Sequence, residues 1–151
     1  MTQPTRREAL ITIVAAAAIP SAAAESQTVA AIADLIIPRT DTPGAIDVGV
    51  PQFIAARLAA NPELSQRFRK GLEAFEAESH TRFQEPFHQL TQQQQMDLLT
   101  AAQDTPFFKL IKQLTVDGYY TSKDGLTKEL GWHGNTFLTE FTGCTHPEHQ
   151  I

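Results

Sequence analysis

From Thr28 onward the apolar side chains recur every three or four residues and almost never every two. Val29, Ile32, Leu35 and Ile36 fall on one face of a helix that Ser26 or Thr28 is placed to cap and Pro38 to end. Phe53, Ile54 and Leu58 mark a second helix, with Pro51 at its first position, where the missing N–H has no partner to lose. After Asn61-Pro62 a third helix carries Leu64, Phe68, Leu72 and Phe75 at steps of four, four and three. The pattern breaks around Phe83, Pro86 and Phe87. Thr91-Gln92-Gln93-Gln94 then has the capping-box form ahead of Leu98 and Leu99, and Gln92 to Gln95 is the only low-complexity run. A fifth helix starts at Thr105-Pro106, carries Phe107, Leu110, Ile111 and Leu114, and has Gly118 as its stop. These periods predict an all-α fold, a small bundle of about five short helices whose second, third and fifth members form the core.

Two stretches fit neither period. Pro38 to Gly49 is a twelve-residue loop with two prolines and two glycines, and loops of that length in compact domains tend to be functional or mobile. From Gly118 to Gly143 the chain holds both tyrosines, the only tryptophan and five of its eight glycines. Amphipathic rings on irregular backbone suit a recognition surface, and equally suit closing the open end of a helical core. The candidates for partner contact are Pro38, Arg39, Asp41, Pro43 and Gly44 in the loop, and Gly118, Tyr119, Tyr120, Thr121, Ser122 and Trp132 in the later segment.

The N-terminus reads as an address. Arg6 and Arg7 precede an uncharged run from Ala9 to Ile19, followed by Pro20-Ser21-Ala22-Ala23-Ala24, the order of a signal peptide with cleavage after Ala24. Eleven residues are too few to cross about 30 Å of hydrocarbon, which takes roughly 20. Five of the eleven are alanine, and modest hydrophobicity behind an arginine pair favours the twin-arginine route. The expected organisation is therefore a signal over residues 1–24 and a single helical domain over residues 25–151. Because that route carries folded cargo, such a chain suits escorting a cofactor-loaded partner that lacks a signal of its own. The competing reading is a chance basic pair ahead of a buried helix, but a helix there has no amphipathic face.

Composition narrows the chemistry. A chain of 151 residues, 42% hydrophobic and 19% charged, has room for one core. Its net charge of −5, with lysines and arginines scattered, argues against nucleic acid. One cysteine excludes an internal disulfide and any C-x-x-C zinc, dithiol or haem motif. Soft and nitrogen ligands cluster only in the tail, where Cys144, His146 and His149 would offer three zinc or copper positions, with Glu148 or water as a fourth and Pro147 restricting the geometry. No phosphate loop, nucleophile elbow, dinucleotide fingerprint or zinc-protease helix occurs, and His80, His88 and His133 are isolated. Asp41 and Asp47 share the loop as a conceivable acid/base pair, although Asp beside Thr, Pro and Gly usually serves turns. No catalytic residue and no bound cofactor are assigned to this chain.

Four blocks carry a resemblance. They are Ala33-Asp34-Leu35-Ile36-Ile37-Pro38-Arg39-Thr40-Asp41-Thr42-Pro43-Gly44-Ala45, Val48-Gly49-Val50-Pro51-Gln52-Phe53-Ile54, Gly118-Tyr119-Tyr120-Thr121-Ser122, and Gly143-Cys144-Thr145-His146-Pro147-Glu148-His149. Behind a signal peptide, in that order, they resemble the gluconate 2-dehydrogenase subunit 3 family. The resemblance implies a non-catalytic small subunit of a periplasmic or membrane-associated dehydrogenase. It further implies a large partner subunit that carries FAD and oxidises a CH–OH group of a sugar or sugar acid, a cytochrome c subunit that often takes the electrons, and passage through the twin-arginine translocon. Two other functions compete: a stand-alone periplasmic metal- or small-ligand-binding protein, and direct participation in the chemistry by a side chain such as Asp41 or Tyr120 reaching the partner's active site.

Overall fold

The computed structural model describes residues 22–134. Five α-helices follow one another: α1 (Ala22–Ile36), α2 (Val50–Ala60), α3 (Pro62–Phe83), α4 (Gln92–Ala102) and α5 (Pro106–Tyr120). A 3₁₀ turn over Phe87–Gln89 joins α3 to α4, and one turn of π-helix, Gly125–Glu129, follows α5. The described residues contain no strand, as the periods predict. None of the described helices is long and apolar enough to cross a membrane.

Local chemistry sets the helix starts. Pro51, Pro62 and Pro106 open α2, α3 and α5. The Asn61 side chain accepts the Leu64 N–H at 3.0 Å, and the Thr105 hydroxyl accepts the Phe108 N–H at 3.2 Å. At α4 both arms of the capping box form: Thr91 Oγ1 accepts the Gln94 N–H at 3.4 Å, and Gln94 Oε1 accepts the Thr91 N–H at 3.0 Å. Each cap pairs N–H groups that a helix end leaves without an internal acceptor.

Three boundaries differ from expectation. Helix α1 already runs from Ala22, so the proposed cleavage point after Ala24 falls in its first turn, and neither Ser26 nor Thr28 caps it. Thr28 lies mid-helix, fully buried, and donates its hydroxyl to the Glu76 carboxylate. Helix α3 continues to Phe83 before Gln84 turns it off in a left-handed conformation, φ 63°. Helix α5 passes through Gly118 to Tyr120, because the absent side chain makes room for α2: a β-carbon at Gly118 would lie 2.8 Å from Cδ1 of Phe53.

The core draws on all five helices, not three. Ile32 and Ala33 of α1 are fully buried beside Ile54 of α2, Phe68 and Leu72 of α3, and Ile111 and Leu114 of α5. Helix α4 contributes only Leu98 and Leu99. Phe87, in the connection the periods left unassigned, is fully buried, with its ring 5.0 Å from Phe75. A polar node ties this connection down. The Glu76 carboxylate, on α3, accepts the Phe87 N–H at 3.0 Å as well as the Thr28 hydroxyl, and Gln95 of α4 donates to the Phe87 carbonyl at 3.0 Å. Ser79 donates to the Glu85 carbonyl at 2.8 Å. No buried side-chain polar atom is left without a partner among the described residues, as a stable interior requires.

Candidate partner-binding surface

The loop from Pro38 to Gly49 is fixed rather than loose. The Ala45 N–H donates to the Ile37 carbonyl at 2.9 Å, and the Thr40 N–H to the Thr42 carbonyl at 3.1 Å. Ala45 itself is fully buried and pegs the loop to the core. Gly44 is buried where the loop folds over its own beginning, and a β-carbon there would lie 2.6 Å from the Arg39 backbone nitrogen. Asp47 closes the turn: its carboxylate accepts the Gly44 N–H at 2.9 Å and pairs with the Arg39 guanidinium.

That pairing favours the Asp47 anion. The Arg39 hydrogen bond, and after it the Gly44 N–H, hold the Asp47 carboxyl below its ordinary pKa, while Asp47 raises that of Arg39. A carboxylate so stabilised as an anion is a poor proton acceptor. Asp47 thus serves the turn, the use the sequence gives most weight, and Asp41 stays exposed on the loop.

Helix α5 and the π-turn clamp the loop from the other side. Tyr119 is 1% exposed and donates its hydroxyl to the Pro43 carbonyl at 2.8 Å. Thr42 donates to the Glu129 carboxylate at 2.9 Å. The core reading thus applies to Tyr119, whose ring offers no surface to a partner, and to Gly118, buried against Phe53. Tyr120 meets Tyr119 edge-on at 5.1 Å and is half-buried. Thr121 bonds back to the Asp117 carbonyl at 2.6 Å, while Ser122 donates to the Tyr119 carbonyl at 2.6 Å and accepts the Gly125 N–H at 3.0 Å. These two hydroxyls turn the chain out of α5.

The accessible part of the predicted surface is Pro38, Arg39, Asp41, Thr121 and Trp132, with Pro43, Tyr120 and Ser122 partly covered. Two residues absent from the sequence-based set join it. Ile46 in the loop and Leu130 after the π-turn are 43% and 58% exposed, beside 47% for Trp132. Three of the four large exposed hydrophobics among the described residues thus lie on the two segments that Tyr119 and Thr42 tie together. An isoleucine between alanine and aspartate in a Pro/Gly loop was a readable signal for Ile46, since no helical stripe accounts for it. Ile46 also borders a shallow depression against α1, shared with Ala30, Ala31, Asp34, Arg39 and Asp47.

The surface pairs apolar side chains with fixed charges. Among the described residues no three metal-ligating side chains converge. Cys144, His146 and His149 lie outside the described residues, as do Arg6 and Arg7 of the N-terminal segment. His88 faces the Thr28 hydroxyl at 3.4 Å, whereas His80 and His133 are exposed on separate parts of the chain.

Comparison with curated proteins and with solved structures gives no significant match. A family model described as gluconate 2-dehydrogenase subunit 3 matches residues 23–137, about three quarters of the chain. The match takes in all five helices, the clamped loop and the segment around Trp132. On that span, the chain belongs to the gluconate 2-dehydrogenase subunit 3 family.

Proposed function

We propose that this chain is a non-catalytic small subunit of a periplasmic or membrane-associated dehydrogenase, which stabilises an FAD-carrying large subunit and escorts it through twin-arginine export. The observation that carries the reading is the clamped loop, displayed with Ile46, Leu130 and Trp132 exposed, in a chain whose family is described as one subunit of a dehydrogenase. Exposed apolar groups on a rigid frame suit a protein partner, because little conformational entropy remains to be lost on docking. A stable contact of this kind buries more than about 1,000 Å² in total. In this reading the oxidation of a sugar or sugar acid takes place on the partner. Arg6 and Arg7 supply the export signal in this reading, and a cytochrome c subunit is the natural electron acceptor.

The test is co-purification from the native host. The full chain with a C-terminal tag is expected to bring down a flavoprotein from the periplasmic or membrane fraction, seen as a flavin spectrum and identified by mass spectrometry. Ile46→Ser combined with Trp132→Ala is expected to keep the melting temperature and lose at least tenfold of the captured flavin. Arg6→Lys with Arg7→Lys is expected to leave both chains in the cytoplasm. A colourless monomer eluting alone refutes the subunit reading, and normal export of the flavoprotein beside the Arg6/Arg7 variant refutes the escort.

A further inference from the structure

A groove of about 610 Å³ lies away from the loop, in the angle between α3 and the α4–α5 pair. Its floor is Gly71, Phe75, Leu98, Ala102, Phe107 and Leu110. Every charge on its rim comes from α3: Arg67, Lys70, Glu78 and Arg82. The far wall, with Thr105 and Pro106, carries none.

The rim charges are unevenly committed. Arg82 pairs with Glu78 one turn before it, so that end is neutral overall. Arg67 and Lys70 also sit one turn apart on α3, and neither has an ion-pair partner among the described residues. The twelve helical steps from Lys70 to Arg82 span about 18 Å at 1.5 Å per residue. The groove therefore has one cationic end, an apolar floor and one neutral end, in a chain whose net charge is −5. Local charge opposite in sign to the whole molecule points to an anionic occupant.

We propose that this groove binds a long-chain carboxylate as a free molecule, with its acyl chain on the floor and its head group at Arg67 and Lys70. The volume lies within the range of about 300–1,000 Å³ usual for small-molecule sites. A single-headed amphiphile needs cations at one end only, which is what the rim provides. An acidic amphipathic helix of a partner carries its charges along its length and needs cations on both walls; the uncharged far wall does not supply them. The apolar run Ala9 to Ile19 of this chain is also disfavoured, since Arg6 and Arg7 adjoin it. This inference stands independently of the partner reading, because it uses a different face of the bundle.

The test is a titration of the full chain with cis-parinaric acid, an unsaturated long-chain acid whose emission rises on burial, followed by competition with hexadecanoate, hexadecanol and hexadecyltrimethylammonium. Expected is one site per chain, displaced by hexadecanoate below its micelle threshold and least by the cationic amphiphile. Arg67→Gln with Lys70→Gln should weaken hexadecanoate at least tenfold and leave hexadecanol within twofold, with an unchanged melting curve because both side chains are exposed. Ala74→Trp, a rim substitution, should abolish displacement by both. Binding indifferent to the double substitution, or no displacement at all, overturns the proposal. Binding of the acid only when presented in anionic vesicles would assign the cations to a membrane surface and overturn it. A chain that binds no acid but sediments as a dimer, dissociated by Ala74→Trp, would make a second copy the occupant and overturn it as well.

Discussion

Tyr119 separates two roles that aromatic residues share, because its ring and its hydroxyl do different work. The ring is 1% exposed, so Tyr119→Ala removes a core side chain and leaves a cavity, at a cost of about 3–5 kcal/mol. Tyr119→Phe keeps the ring and deletes only the 2.8 Å hydrogen bond to the Pro43 carbonyl, worth about 1 kcal/mol. Pro43 is partly exposed, so water can replace part of that bond, which holds the cost at the modest end. With each kcal/mol shifting the midpoint of a chain of this size by about 2–4 °C, the phenylalanine variant should melt about 3 °C lower and the alanine variant about 10 °C lower. Urea titrations should show both losses at unchanged slope. Amide exchange at Thr40 and Ala45 gives the local readout: it should quicken in Tyr119→Phe while the α4 amides stay as they were, since the hydroxyl fastens only the loop. Wild-type stability in Tyr119→Ala would refute the core assignment. If that variant also lost the flavoprotein, the tyrosine would be a partner contact after all.

Three further outcomes follow from the same contacts. The Asp47 carboxyl has a folded pKa below its ordinary 3.8, so its contribution to loop order is complete above that value and is lost as pH falls through the lowered folded value; Asp47→Asn should remove this acid limb from the exchange rate of the Gly44 amide. Glu76→Ala strips the Phe87 N–H and the Thr28 hydroxyl of their acceptor and should cost about 2–4 kcal/mol in urea melts, whereas Glu76→Gln, which keeps an acceptor oxygen, should cost less. Gly44→Ala places a β-carbon against the Arg39 backbone and should destabilise by about 1–3 kcal/mol; a neutral result by calorimetry would show that the loop can shift aside.

What could be read along the chain was whatever acts locally. Prolines at three helix starts, the Thr91/Gln94 capping box and the apolar stripes all act within four residues, so the helices after α1 were placed from sequence. The failures share one cause. Gly118 looks like a stop until Phe53, 65 positions earlier, occupies the space its side chain would need. Thr28 looks like a cap until Glu76 takes its hydroxyl. Glu76 lies four residues after Leu72 on the buried side of α3, and the Phe87 N–H that holds its carboxylate there belongs to a turn no period announces. Each is a tertiary partner overriding a sound local preference.

The same distinction bears on function. A loop rich in proline and glycine was singled out as functional or mobile, and the structure divides those alternatives: Ala45, Asp47, Thr42 and the Tyr119 hydroxyl hold the backbone, while Ile46 is left outside. Rigidity and exposure in one segment is the combination that preorganised binding needs, since ordering has already taken place in the free chain. Sequence alone locates such a segment but cannot show that it is ordered, because its fasteners lie on α5 and the π-turn more than seventy residues away. If the loop were mobile, Ile46→Ser would weaken partner capture no more than Asp47→Asn does. With the frame fixed as described, loss of the apolar contact should exceed loss of the turn-closing charge.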